Sequence, residues 1–205
     1  LAFRERTTTL AIGAYQYGDL TLAGRHEPVL LTGAEASAEL FQVLGTAPVL
    51  GRTFRDEEMR PGGNPVAILS HRLWQQRFGA QESILGRTLV LDGRPRSIIG
   101  VMPAECRFPS SNTAFWIPLV IDPTDSGDLW GRNVWTVGRL RSGVSIERAR
   151  AEVRAFTPIL RSIFPSRAFA QDWGQEADVI PLHERRVGDV RRTLMVFLAA
   201  VGSVM

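Results

Sequence analysis

The 205-residue sequence contains no lysine; all 24 of its basic side chains are arginine. That absence excludes a Walker-A phosphate clamp, a Schiff-base nucleophile and the lysine of a kinase site, so any ATP-driven work must be done on another domain or chain. Cysteine is nearly as scarce. A single residue, Cys106, permits no internal disulfide. With Phe108 two residues on, it reads as a small packing residue rather than a catalytic thiol, which would need a basic histidine beside it. The three histidines, His26, His71 and His183, fit no metal-ligand spacing. No GxGxxG, HExxH, GxSxG or CxxC pattern occurs. The expectation is therefore no catalytic residue, no metal and no cofactor.

What is present is the composition of a folded protein, 44% hydrophobic and 22% charged, with a net charge of only +3. The length suits one large domain or two small ones. Arg52, Arg72, Arg77, Arg94, Arg139 and Arg161 are scattered among acids, which argues against a nucleic-acid face. The densest acidic cluster, Asp56-Glu57-Glu58, lies in a polar turn-rich stretch. There, solvation or a salt bridge to Arg52 or Arg60 explains it better than acid/base chemistry, which needs burial to split the carboxyl pKa values. Of the tryptophans, Trp74 and Trp116 sit in apolar runs and are expected in the core. Trp130, close to Gly127 and Gly131, is the candidate for a partner contact.

Strands and helices alternate without a regular βαβ rhythm, which favours α+β. Thr8–Tyr17 reads as a strand ending at a Gly18-Asp19 turn, with β character resuming over Leu20–Ala23 and Pro28–Thr32. Ser37–Leu44 has helical spacing and is stopped by Gly45. After a turn-rich stretch to Pro65, Val66–Leu69 is a buried strand. Ser70 caps a helix through Phe78, with Leu73, Trp74 and Phe78 inward and Gly79 ending it. Thr88–Leu91 and Arg96–Val101 flank Asp92-Gly93 as a tight hairpin. Phe115–Leu119 is a short strand, and Asp122–Gly131 is a loop. Val134–Leu140 is a strand, after which Ser145 caps a helix carrying Ile146, Ala149, Val153, Phe156, Leu160 and Ile163 on one face. Pro158 should kink or break that helix. Ala177–Leu182 reads as a last strand. Leu50-Gly51-Arg52-Thr53 recurs as Leu85-Gly86-Arg87-Thr88, read as two similar strand entries rather than a repeat.

The ends carry a different signal. Leu1–Thr9 is charged and polar, unlike a signal peptide. Thr193–Met205 is uncharged and follows Arg185, Arg186, Arg191 and Arg192. It is shorter than the roughly 20 apolar residues a membrane span needs. It reads as a buried terminal helix or as a transmembrane helix cut short by the end of the chain.

A long series of short motifs then narrows the field. It runs from Leu40-Phe41-Gln42-Val43-Leu44-Gly45 through Pro48-Val49-Leu50-Gly51-Arg52-Thr53-Phe54 to Pro65-Val66-Ala67-Ile68-Leu69-Ser70. Leu73-Trp74, Arg77-Phe78-Gly79, Ile84-Leu85-Gly86-Arg87-Thr88-Leu89, Leu91-Asp92-Gly93 and Ile99-Gly100-Val101-Met102-Pro103 complete it. In this order the series resembles the extracytoplasmic domain of MacB-like ABC transporter permeases, in particular the duplicated orphan permeases without a fused ATPase. Cys106 departs from the family, which usually has an aromatic there.

The resemblance implies a two-lobed α+β domain lying between two transmembrane helices. A porter-like lobe would take residues 1–36 and 133–190, and a smaller inserted α+β lobe residues 37–132. Thr193–Met205 would begin the second transmembrane helix. The implied function is a non-catalytic module of a membrane-embedded permease that relays ATP-driven motion. A second permease copy, a separate ATPase subunit and a periplasmic adaptor or lipoprotein would be its partners. The alternative is a static binding module for a peptide, lipid or lipoprotein, held in a groove between the lobes.

Overall fold

The computed structural model of the chain describes residues 7–23, 27–122, 134–156, 158 and 178–183. The chain divides into two compact units, one of residues 1–11 with 140–205 and one of residues 12–139.

The larger unit is built on a mixed sheet. The strands of the chain, which fall in this unit except for Leu10, Ala11 and Leu140, are β1 (Leu10–Ala23), β2 (Val29–Ala36), β3 (Leu50–Gly51), β4 (Val66–Leu69), β5 (Thr88–Leu91), β6 (Arg94–Val101), β7 (Phe115–Pro118) and β8 (Trp135–Leu140). Two short helices accompany them, α1 (Leu40–Leu44) and α2 (His71–Phe78). The order is β2-β7-β4-β6-β5-β1-β8, and β1 also pairs with β2, so six strands close into a ring of pairings. Closure leaves few unpaired edges. Two of the contacts, β2–β7 and β4–β6, are parallel; the others of known sense are antiparallel. The class is α+β, as expected.

Alternation along the strands feeds two apolar clusters. Ala67 and Leu69 of β4, Phe115 and Ile117 of β7, Leu89 and Leu91 of β5 and Ile98 and Val101 of β6 join Leu73 and Trp74 of α2. Val66 and Ile68 of β4, Ala34 and Ala36 of β2 and Trp116 of β7 pack instead with Leu40 and Phe41 of α1 and with Phe54, Met102 and Phe108. Burial on both faces explains why β4 and β7 are buried at every position.

The local signals act as their chemistry dictates. Ser70 Oγ accepts the Leu73 N–H, and Gly79 closes α2 in the left-handed region. Asp92 and Gly93 both take positive φ, 47° and 72°, the conformation a two-residue hairpin needs. β6 begins two residues earlier than expected and includes Pro95, which pairs with Val90. The second pair from such a turn exchanges no ladder hydrogen bonds, so the missing N–H of Pro95 costs nothing there. The Leu-Gly-Arg-Thr echo is two strand entries that meet the same edge of β6, the one opposite β4. Arg52 N–H donates to Ile99 O, and Gly86 N–H donates to Ile98 O.

Two expectations are corrected. Gly18-Asp19 is not a turn: β1 runs straight through it, Gly18 pairing with Gly33 and Asp19 with Thr32. Eight consecutive pairs with β2 and the Leu20–Leu31 contact row outweigh the local turn preference. Asp178–Pro181 is not a strand. The Val179 carbonyl accepts from Arg150 Nε at 2.9 Å, and Asp178 lies 3.7 Å from Arg150 and 3.5 Å from Arg154. These groups serve the helix α3 (Ile146–Ala155) instead of a ladder.

In the smaller unit, Ser145 Oγ caps α3 by accepting the Arg148 N–H, and Ala149 and Val153 are its buried residues. The helix ends at Ala155, ahead of Pro158. The expected positions Leu160 and Ile163, most of the 122–131 loop and the 193–205 segment lie outside the described residues.

Candidate functional site

The structure spreads the reactive side chains apart. His71 opens α2 with its ring edge-to-face on Trp74, centroids 5.4 Å apart. His183 is exposed, and His26 lies outside the described residues. Among the described residues no three His, Cys, Asp or Glu groups come together as a metal-binding set. Cys106 is half-buried against the cluster that contains Phe108. Burial pushes its thiol up, partly offset by a hydrogen bond to the Phe108 backbone. A thiol held protonated in this way is a poor nucleophile.

The acidic cluster resolves into a structural ion pair. Glu58 is 3% exposed and accepts two bonds from Arg52, at 3.0 and 2.6 Å, and one from the Arg55 N–H at 2.8 Å. Burial pushes the Glu58 carboxyl up, but Arg52 and the Arg55 amide together hold it below the usual carboxylate range. Glu57 stays at the surface, 3.6 Å from Arg55.

A second carboxylate, in the smaller unit, has a richer set of donors. Glu152 on α3 accepts from Thr7 Oγ at 2.8 Å, Thr8 N–H at 2.8 Å, Thr8 Oγ at 2.7 Å and Thr9 N–H at 3.0 Å. Thr9 Oγ donates as well. Burial raises its pKa, but these bonds prevail and bring it to about 2. Three consecutive threonines are thereby fastened to one helix, and the Arg141 N–H adds a bond to Thr9 O. Sequence reasoning missed this clamp. The Thr7-Thr8-Thr9 run was visible, but nothing local links it to a glutamate more than 140 positions away.

The tryptophans divide as expected where they can be seen. Trp116 is fully buried and donates to Phe108 O, and Trp74 donates to Gln81 O. Trp135 on β8 is 40% exposed, an apolar surface residue not singled out from sequence. Trp130 lies outside the described residues.

One pocket, of about 310 Å³, opens between the start of α2 and the loops at 103–107 and 111–113. Its charged and basic lining consists of His71, Arg72 and Arg107.

The described residues thus form a closed mixed sheet with two packed faces and a partly buried ion pair between Arg52 and Glu58. The chain belongs to the family of MacB-like periplasmic core domains, whose model matches residues 4–156. Solved extracytoplasmic parts of transporters share the fold. The periplasmic region of MacB from Actinobacillus actinomycetemcomitans aligns with a TM-score of 0.58 at 16% identity, covering 80% of this chain and 72% of that one. The extracellular domain of the ABC-type transporter YknZ from Gram-positive bacteria aligns with a TM-score of 0.60 at 17% identity, covering 88% and 86%. No curated protein sequence is significantly similar to the chain. Among the described residues no helix is long and apolar enough to cross a membrane.

Proposed function

We propose that the chain is the non-catalytic extracytoplasmic domain of an ABC transporter permease, and that it relays motion driven by cytoplasmic ATP hydrolysis to a partner or cargo outside the membrane. The observation that carries this reading is the family match over residues 4–156. The absence of lysine agrees with it, since the energy would then come from an ATPase on another domain or chain. The work is then mechanical: nucleotide binding biases a two-state arrangement, and the domain supplies a rigid body and a contact surface. A second permease copy, a separate ATPase and a periplasmic adaptor or lipoprotein are the partners of this reading. Residues 1–36 and 133–190 would form its porter-like lobe, residues 37–132 the inserted lobe, and Thr193–Met205 the start of a transmembrane helix.

The placement is testable in cells that express the parent permease. Leu30, 67% exposed, is changed to Cys on a Cys106→Ser background. A membrane-impermeant maleimide should label it from outside the cytoplasmic membrane. Labelling only after that membrane is breached would sink the reading.

A further inference from the structure

The pocket at the start of α2 collects donors and excludes acids. His71, Arg72 and Arg107 line it together with Ser111, Asn112 and Thr113, and no Asp or Glu is among its lining residues. In a chain with 21 acids against 24 arginines, a concavity with cations of one sign is not the average of the surface. The rim is also fixed before any ligand arrives. Arg72 Nη2 donates to Asn112 O at 3.1 Å, which ties the helix to the 110–113 loop. That loop holds its own shape, with Ser110 N–H donating to Thr113 Oγ, Asn112 N–H to Ser110 Oγ and Thr113 N–H to Ser110 O. Two guanidinium groups sharing one pocket repel each other, and an anion between them removes that cost.

From this lining we infer that the pocket binds the phosphate group of a small organic phosphate. The guanidinium fork matches phosphate and carboxylate oxygens alike. Two forks with a serine hydroxyl and an asparagine amide offer more donors than the two oxygens of a carboxylate can use, and a phosphate can accept them. The volume, about 310 Å³, exceeds a bare oxyanion and lies at the lower end of small-ligand sites. A phosphate carried on a glycerol-sized body fits that space, whether free in solution or as the headgroup of a lipid. The site does not depend on the transport reading, and it holds or fails by itself.

The test uses the full 205-residue chain and sn-glycerol 3-phosphate, with glycerol as control. Saturable amide shifts in NMR should be confined to the pocket residues, and glycerol should give none. Arg107→Gln and Arg72→Gln, each checked by its melting curve, should weaken binding about tenfold or more, the loss of one charge-assisted contact. Arg72→Lys with Arg107→Lys keeps the charge but removes the forks. It should also bind more weakly than the parent, and serves if a Gln variant fails to fold. A second arm measures co-sedimentation with phosphatidylglycerol vesicles against phosphatidylcholine alone. Vesicle binding lost in the arginine variants identifies a lipid headgroup as the source; saturable soluble binding without vesicle binding identifies a free phosphate. No binding in either arm, shifts spread over the whole surface, or binding unchanged in the arginine variants would overturn the proposal.

Discussion

Replacing Glu152 by glutamine probes the best-connected polar group among the described residues. The glutamine keeps the size but loses the charge, and its amide N–H₂ is turned toward threonine groups that are themselves donating. Glu152 has an ordinary value of 4.5 that falls to about 2 in the folded chain. Taken at face value, linkage would convert that difference into about 3 kcal/mol at neutral pH. Glu152 is only half-buried, and screening by water brings the expected loss to about 1–2 kcal/mol. A lowered folded pKa gives stability that is present above the unfolded value and lost as pH falls through the folded one. The contribution should thus be full above about pH 5 and fade toward pH 2. By thermal melting of the full chain, Glu152→Gln should lower Tm by about 3–6 °C at pH 7. That deficit should shrink steadily as the pH is taken below 4.5. An unchanged Tm at pH 7, or a deficit that is the same at pH 7 and pH 3, would refute the clamp.

Three further substitutions probe the larger unit. At Gly33 a Cβ would stand 2.2 Å from the Phe115 ring, so Gly33→Ala should cost about 1–3 kcal/mol in denaturant unfolding. Glu58→Gln leaves Arg52 without its carboxylate, and a loss of about 2–3 kcal/mol in the same assay is expected. Gly93→Ala forces a side chain to φ 72° in the β5–β6 turn; about 1 kcal/mol should be lost, with NMR shifts concentrated at Thr88–Val101. Losses below about 0.5 kcal/mol, the usual effect of neutral surface changes, would contradict each argument.

Local chemistry was the legible part of the sequence. The Ser70 cap, the Gly45 and Gly79 stops, the Asp92-Gly93 hairpin and the buried Val66–Leu69 run each depend on a few neighbouring residues, and each formed where expected. The motif series from Leu40 to Pro103 carried the family. What could not be read were the pairings between distant segments. Gly18-Asp19 looks like a turn until an eight-residue partner strand is laid against it. The closing of six strands into a ring depends on the parallel β2–β7 pairing, between segments about 80 residues apart. The Thr7–Thr9 clamp on Glu152 is invisible for the same reason, because a carboxylate in an amphipathic helix reads as a solvated charge. The phosphate pocket draws its cations from a helix and a loop more than 30 positions apart, and neither segment alone carries a binding motif.

In the proposed relay the domain moves in response to nucleotide on the other side of the membrane. That motion is tested most directly by pulsed electron spin resonance on the parent permease, reconstituted with its ATPase. Each copy would carry a spin label at Leu30→Cys on the Cys106→Ser background. Trapping nucleotide with vanadate should shift the label-to-label distance distribution, and a hydrolysis-dead ATPase held without nucleotide should not. Superimposable distributions in both states, while transport proceeds, would contradict it.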